Sequence, residues 1–186
     1  MERKTEYRII ISGFGGQGIL FAGRFLVNAC MLEDRQVTWM PSYGPEMRGG
    51  TAYCSVVVSD SPIGSPVVSE PDMALCLNGP SFDKFENSPP PGGWIFVDNT
   101  FTRRETERKD IQAVYIPSTK IADDNNIQNL ANLVMMGKMI KETGICGRDI
   151  LREAIARSVS ARRANLIDSN IKAIELGYNY DSAAAM

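Results

Sequence analysis

Three consecutive isoleucines, Ile9, Ile10 and Ile11, run through Ser12 into Gly13-Phe14-Gly15-Gly16-Gln17-Gly18, and a helix-patterned segment follows. No other stretch limits the fold as much. Residues 7–12 are apolar on both faces, as a central parallel strand is. The spacing Gly13-x-Gly15-x-x-Gly18 is the dinucleotide-type fingerprint. One glycine makes the tight turn, another lets a phosphate approach the backbone, and the third lets helix and strand pack closely. Free N–H groups and the positive end of the helix dipole converge there, which suits an anion. The same glycines also serve a plain strand-to-helix turn, whose positive φ angles glycine adopts readily. The turn by itself therefore names no ligand.

Residues 36–40 read as a second strand and lead into Met40-Pro41-Ser42-Tyr43-Gly44-Pro45-Glu46-Met47-Arg48-Gly49-Gly50-Thr51. This loop leaves the C-terminal edge of its strand, where open parallel sheets bind ligands. Arg48 could make a planar, two-pronged contact with a phosphate or carboxylate, and the Gly49-Gly50 backbone can come close to a ligand. A surface Ω-loop with Glu46 and Arg48 solvated or paired to each other would have the same composition. A nicotinamide reading meets an obstacle here. It wants an acid at the end of the second strand to hold the ribose hydroxyls, and the chain has Met40, Pro41 and Ser42 instead, with Glu33 and Asp34 before the strand.

The 186 residues suit a single domain, 1–186, with room for a real core. A net charge of -2 favours a soluble protein and argues against a nucleic-acid partner. There is no histidine, which removes the Ser-His-Asp triad, the Cys-His dyad and a histidine-built zinc site. Cys30, Cys54, Cys76 and Cys146 form no C-x-x-C pair, so neither an iron–sulfur cluster nor an all-cysteine zinc site is expected. Reduced core cysteines are the expectation. The charged N-terminus leads into a strand with no apolar signal core, and no run approaches membrane-spanning length, so a cytoplasmic location without membrane contact is expected.

Further along, the first helix is expected from near Gly16 to about Met31, with Ile19, Ala22, Phe25, Leu26 and Ala29 as its apolar stripe and Arg24 and Asn28 off it. Residues 51–59 alternate as a strand, and 72–78 read as another. The connection between them has no room for a crossover helix, so one of these strands could be antiparallel. A short helix over 80–86, strands at 94–98 and 113–116, and a charge run over 103–110 follow. Asp98-Asn99-Thr100 could face a ligand or turn the chain. The C-terminal part is helical, with Gly144 and Gly177 as helix stops. The fold class is α/β: a Rossmann-like three-layer sandwich, its sheet mostly parallel with room for one reversed strand, with helices on both faces and a helical C-terminal part.

Taken together, Gly13-Phe14-Gly15-Gly16-Gln17-Gly18 and Ser42-Tyr43-Gly44-Pro45-Glu46-Met47-Arg48-Gly49-Gly50-Thr51-Ala52 resemble the gamma subunit of 2-oxoacid:ferredoxin oxidoreductases, most closely the 2-oxoglutarate type. The resemblance continues through residues 55–59, 63–66, 132–134 and 165–177. It implies a Rossmann-like module that docks on alpha and beta subunits and, where present, a ferredoxin-like delta subunit. The complex would decarboxylate a 2-oxoacid, reduce ferredoxin and pass the acyl group to coenzyme A. Thiamine diphosphate, Mg2+ and iron–sulfur clusters would belong to the partner subunits, with none held by this chain and no catalytic residue or metal ligand in it. The implied coenzyme A or interface residues are Gly13, Gly15, Gly16, Gln17, Gly18, Ser42, Tyr43, Glu46, Arg48, Gly49, Gly50 and Thr51. Alternatives are a purely structural assembly subunit, which could pair with itself in isolation, and a stand-alone NAD- or FAD-binding protein. The missing ribose acid predicts that the isolated chain gives no saturable NADH binding in a fluorescence titration; saturation would reinstate the stand-alone reading.

Overall fold

The structure, a computed structural model, describes residues 5–42 and 52–181. Its strands are β1 (Glu6–Gly13), β2 (Gln36–Ser42), β3 (Ala52–Ser59), β4 (Met73–Cys76), β5 (Trp94–Asp98) and β6 (Gln112–Ile116). Its helices are α1 (Ile19–Met31), α2 (Gly79–Phe85), α3 (Ser118–Asp124), α4 (Ala131–Thr143), α5 (Leu151–Ser158) and α6 (Ile167–Tyr178), with a 3-10 stretch, Ala161–Leu166, before the last. The strands form one sheet in the order β2-β3-β1-β4-β5-β6. β1, β4, β5 and β6 pair in parallel, while β3 runs antiparallel to both β1 and β2.

The reversed strand follows from chain length. β3 ends at the sheet edge where β4 begins, so residues 60–72 need only pass beneath β1. A parallel β3 would have required a crossover, usually through a helix, and residues 60–72 contain none. β1 is buried on both faces: Ile9 and Ile11 pack with Phe25 and Leu26 of α1, and Ile10 packs with Phe82, Phe85, Ile95 and Val97 on the other side. The expected stripe of α1 is buried in full. Asn28, off that stripe, donates to Ser158 Oγ at 2.9 Å and joins α1 to α5.

Helices lie on both faces, unequally. α1, α4, α5 and α6 build a thick layer on one side. The other side carries α2 and the irregular segment after β5. The charge run in that segment is a strap and not simply a solvated face. Arg104 lies 4.2 Å from the centre of the Phe82 ring and pairs with Asp83 at 2.5 Å and Glu86 at 2.8 Å. Its hydrogen bond holds the Glu86 carboxyl below the usual range. Among the described residues no helix is long and apolar enough to cross a membrane.

α4 is buried around most of its circumference, as a helix at the centre of a layer is. Even Lys138 is 4% exposed; its ammonium reaches Glu142 at 2.6 Å and the Tyr180 carbonyl at 3.0 Å. Gly144 caps α4 in the left-handed conformation expected of it, at φ 60°. Gly177 corrects its expectation. It does not stop the last helix, which runs through Tyr178 to a cap at Asn179. Instead α4 and α6 cross backbone to backbone at a reciprocal pair of glycines. A β-carbon at Gly177 would strike the Val134 carbonyl, and one at Gly137 the Ile174 carbonyl. Gly177→Ala should therefore lower unfolding free energy by roughly 2 kcal/mol or more, as overpacked cores do. Gly64→Ala, at a position with open space, should move it by no more than about 0.5–1 kcal/mol in either direction. Urea denaturation of both variants checks the contrast.

Candidate functional site

The glycine turn divides into a packed inner side and an open outer side. A β-carbon at Gly13 would meet Gln17 Oε1 at 2.8 Å and Leu77 Cβ at 3.2 Å. At Gly15 and Gly16 it would meet nothing within 4 Å. Gly16 and Gly18 have left-handed backbones, φ 96° and 72°, so α1 cannot begin before Ile19, three residues later than the sequence pattern suggests. Gly18 is also the point of closest packing. A β-carbon there would lie 2.6 Å from Asn132 Nδ2, which donates to the Gly18 carbonyl at 2.9 Å. The glycine that allows close packing thus serves α4, not the sheet.

Gln17 closes the inner side. Its Oε1 accepts from the Phe14 N–H at 2.7 Å and from Asn78 Nδ2 at 2.9 Å, and its Nε2 donates to the Leu77 carbonyl at 3.0 Å. The side chain ties the end of β1 to the end of β4, so a ligand at this turn would meet the outer Gly15-Gly16 backbone. α1 begins with no side-chain cap and no acid in its first turn. Its N-terminal amides and dipole are therefore not neutralised from within the helix.

The second motif starts and ends beside this turn. β2 runs parallel to β1, Ser42 pairs with Tyr53, and Ala52 pairs with Gly13. Tyr43, Glu46, Arg48, Gly49, Gly50 and Thr51 lie outside the described residues. Phe14, 40% exposed, and Phe101, 74% exposed, follow strands ending on the same edge. Asp98 turns the chain: its carboxylate accepts from Ser118 Oγ at 2.7 Å, Thr119 Oγ1 at 2.6 Å and the N–H groups of Thr119 and Thr100 at 3.0 Å. The buried thiols are poor nucleophiles, since desolvation pushes Cys54 up to about 11 and Cys76 up to about 12.

On the helical side of Gly18 a cleft of about 870 Å3 opens between α1, α4, α5 and α6. Sequence reasoning noted Arg24 and Asn132 without joining them, and missed Arg157 and Arg163, because residues so far apart share a cleft only through helix packing. The one local signal was that Arg24 falls off the apolar stripe of α1.

Fold and site define a Rossmann-like domain with one reversed strand and a glycine turn at its C-terminal edge. Residues 8–180 match the family model described as pyruvate ferredoxin/flavodoxin oxidoreductase, and the chain belongs to that family. It is 38% identical over 177 residues to the ketoisovalerate oxidoreductase subunit VorA of Methanothermobacter marburgensis, covering 94% of this chain but 36% of that relative's length. It is 35% identical to the 2-oxoglutarate synthase subunit KorC of Methanocaldococcus jannaschii, covering 94% of each. Among solved structures, the gamma subunit of keto/oxoacid ferredoxin oxidoreductase from Geobacter sulfurreducens superposes with a TM-score of 0.81 at 27% identity, covering 97% of this chain and 99% of that one.

Gln17→Glu tests the brace. At neutral pH the carboxylate could still accept from Phe14 and Asn78 but would face the Leu77 carbonyl without a donor. We expect a loss of roughly 1–3 kcal/mol, partly recovered when acid protonates the new side chain. Denaturation at pH 7 and pH 5 reads both.

Proposed function

We propose that this chain is the gamma subunit of a 2-oxoacid:ferredoxin oxidoreductase and forms part of its coenzyme A side. The complex would convert a 2-oxoacid to acyl-coenzyme A and CO2 and reduce ferredoxin. The observation that carries the reading is the pairing of Gly13 with Ala52 and of Ser42 with Tyr53, which brings both ends of the 42–52 segment to the sheet edge that the glycine turn leaves. In this reading Gly15 and Gly16 offer backbone amides to a phosphate, and Arg48 anchors a phosphate of coenzyme A or a partner carboxylate. Gly13, Gln17 and Gly18 hold the turn in shape. Ser42, Tyr43, Glu46, Gly49, Gly50 and Thr51 complete the loop wall.

Alpha and beta subunits, and a ferredoxin-like delta subunit where one exists, are the proposed partners. Thiamine diphosphate, Mg2+ and iron–sulfur clusters are assigned to them. The relatives are named for 2-oxoglutarate and for ketoisovalerate. The structure of 2-oxoglutarate:ferredoxin oxidoreductase from Magnetococcus marinus, with coenzyme A and succinyl-coenzyme A bound, shares this fold at 21% identity. We take 2-oxoglutarate as the first substrate to test, 2-oxoisovalerate as the second, and a panel of 2-oxoacids with a viologen acceptor as the assay.

In the assembled complex, Arg48→Gln should raise the KM for coenzyme A roughly tenfold, the cost of one charge-assisted contact to an anion, with the KM for the 2-oxoacid unchanged. Wild-type coenzyme A kinetics together with weakened assembly on size exclusion would instead make the loop an interface element.

A further inference from the structure

Three helices begin at the cleft between α1, α4, α5 and α6. Gly18, Leu130 and Leu166, the N-caps of α1, α4 and α6, all line it. None of these helices has a side-chain cap hydrogen bond. α1 and α4 carry no acid in the first turn, and the one in α6, Asp168, is taken by Arg152 at 2.9 Å. Each helix start carries partial positive charge that favours anions within about a turn. Side chains add to it. Arg24, Arg157 and Arg163 line the cleft, and no described residue lining it is an aspartate or glutamate. Arg157 pairs with Glu153 at 2.5 Å, whereas Arg24 and Arg163 make no ion pair among the described residues. In a chain of net charge -2 the cleft is a local excess of positive charge.

The rest of its wall points to a protein occupant and not to a lone anion. Phe21, Ile127 and Leu130 make that wall apolar, and Leu166 carries it to the surface at 41% exposure. Leu166 ends the 3-10 stretch Ala161–Leu166, of which no residue is buried. A segment that leaves its leucine outside gains little hydrophobic stabilisation from the fold itself. The cleft holds about 870 Å3, far more than one small anion fills, given about 30 Å3 for a water molecule. Its arginines come from three elements with apolar surface between them. That pattern suits a chain segment with an apolar side chain at its centre and carboxylates beside it, the usual division of an interface into apolar core and charged rim. The VorA relative, of which this chain covers 36%, carries the same domain within a much longer chain, so the domain there has a further unit joined to it.

We propose that this cleft seats an acidic segment of a partner subunit. An apolar side chain of that segment packs on Phe21 and Leu166, and carboxylates beside it meet Arg24, Arg163 and the uncapped amides at the start of α1. The choice of a partner subunit rests on the function proposed above; the acidic, apolar-centred chemistry rests on the cleft alone. Arg24 and Arg163 are exposed, so their replacement leaves the core intact.

The test compares amide hydrogen exchange of the full chain, free and in the assembled complex, and measures its affinity for the remaining subunits at low and high salt. We expect the amides of residues 126–130 and 157–166 to gain protection in the complex. The double variant Arg24→Glu, Arg163→Glu should lower the affinity at least roughly tenfold at low salt, and by less at high salt, where screening weakens the wild-type contact. A complex in which those amides exchange as in the free chain, or an affinity indifferent to the double variant, refutes the docking and leaves the proposed function standing. A chain that associates with no such subunits overturns both. A calorimetric titration with inorganic pyrophosphate covers the remaining occupant. Saturable binding that the double variant abolishes, with subunit affinity unchanged, assigns the cleft to a small anion and overturns the proposal.

Discussion

The structure depends on how β1 leaves the sheet. This strand is hydrogen-bonded on both edges, to β3 and β4, and packed on both faces. Its chain must turn away at Gly13, where Leu77 and Gln17 leave no space for a side chain. The Gln17 amide then does three things at once: it accepts from Phe14, accepts from Asn78 and donates to Leu77. With the inside of the turn filled this way, what remains for a ligand is the outer backbone at Gly15 and Gly16. The four glycines of the turn are therefore not equivalent. Two make packing possible, and two present open backbone.

The same economy of space governs the helical layer. α4 is its hub, and it can be so because Gly137 and Gly177 let it touch α6 without side chains between them. Asn132, at the start of α4, reaches across to the Gly18 carbonyl and sets the distance between the helical layer and the glycine turn. Packing and site geometry are thus one problem. A shift of α4 against α6 would move Asn132, and with it the wall of the cleft.

The function proposed above is that of a binding domain. Among the described residues, Asp98 at the sheet edge is used in a turn by four donors, and burial makes the thiols of Cys54 and Cys76 unreactive. What the surface offers instead is open backbone, exposed Phe14 and Phe101, and a cleft lined by arginines. Such groups are of the kind that recognise a ligand or a partner, as the function proposed above requires. This suits a subunit that works inside a larger oxidoreductase.

Much of the architecture is legible in the sequence, because it is set by local rules. An all-apolar strand ending in glycines, the 3.6-residue stripe of α1, the left-handed cap at Gly144 and a connection too short for a crossover helix each constrain their own neighbourhood. The reversed β3 followed from that last constraint, and Ser42 and Ala52, the described ends of the second motif, reach the edge of the glycine turn because their strands end there. Only the tertiary structure decided the rest. Gly177 looks like a helix stop from its neighbours, but its place is fixed by Val134, far off in the chain. Lys138 reads as surface, yet it is buried because α4 is enclosed on nearly all sides. Arg24, Asn132 and Arg163 fall in three separate segments, and no spacing rule links them. The packing of α1 against the C-terminal helices puts them on one cleft, since that packing is determined by long-range burial and not by local pattern.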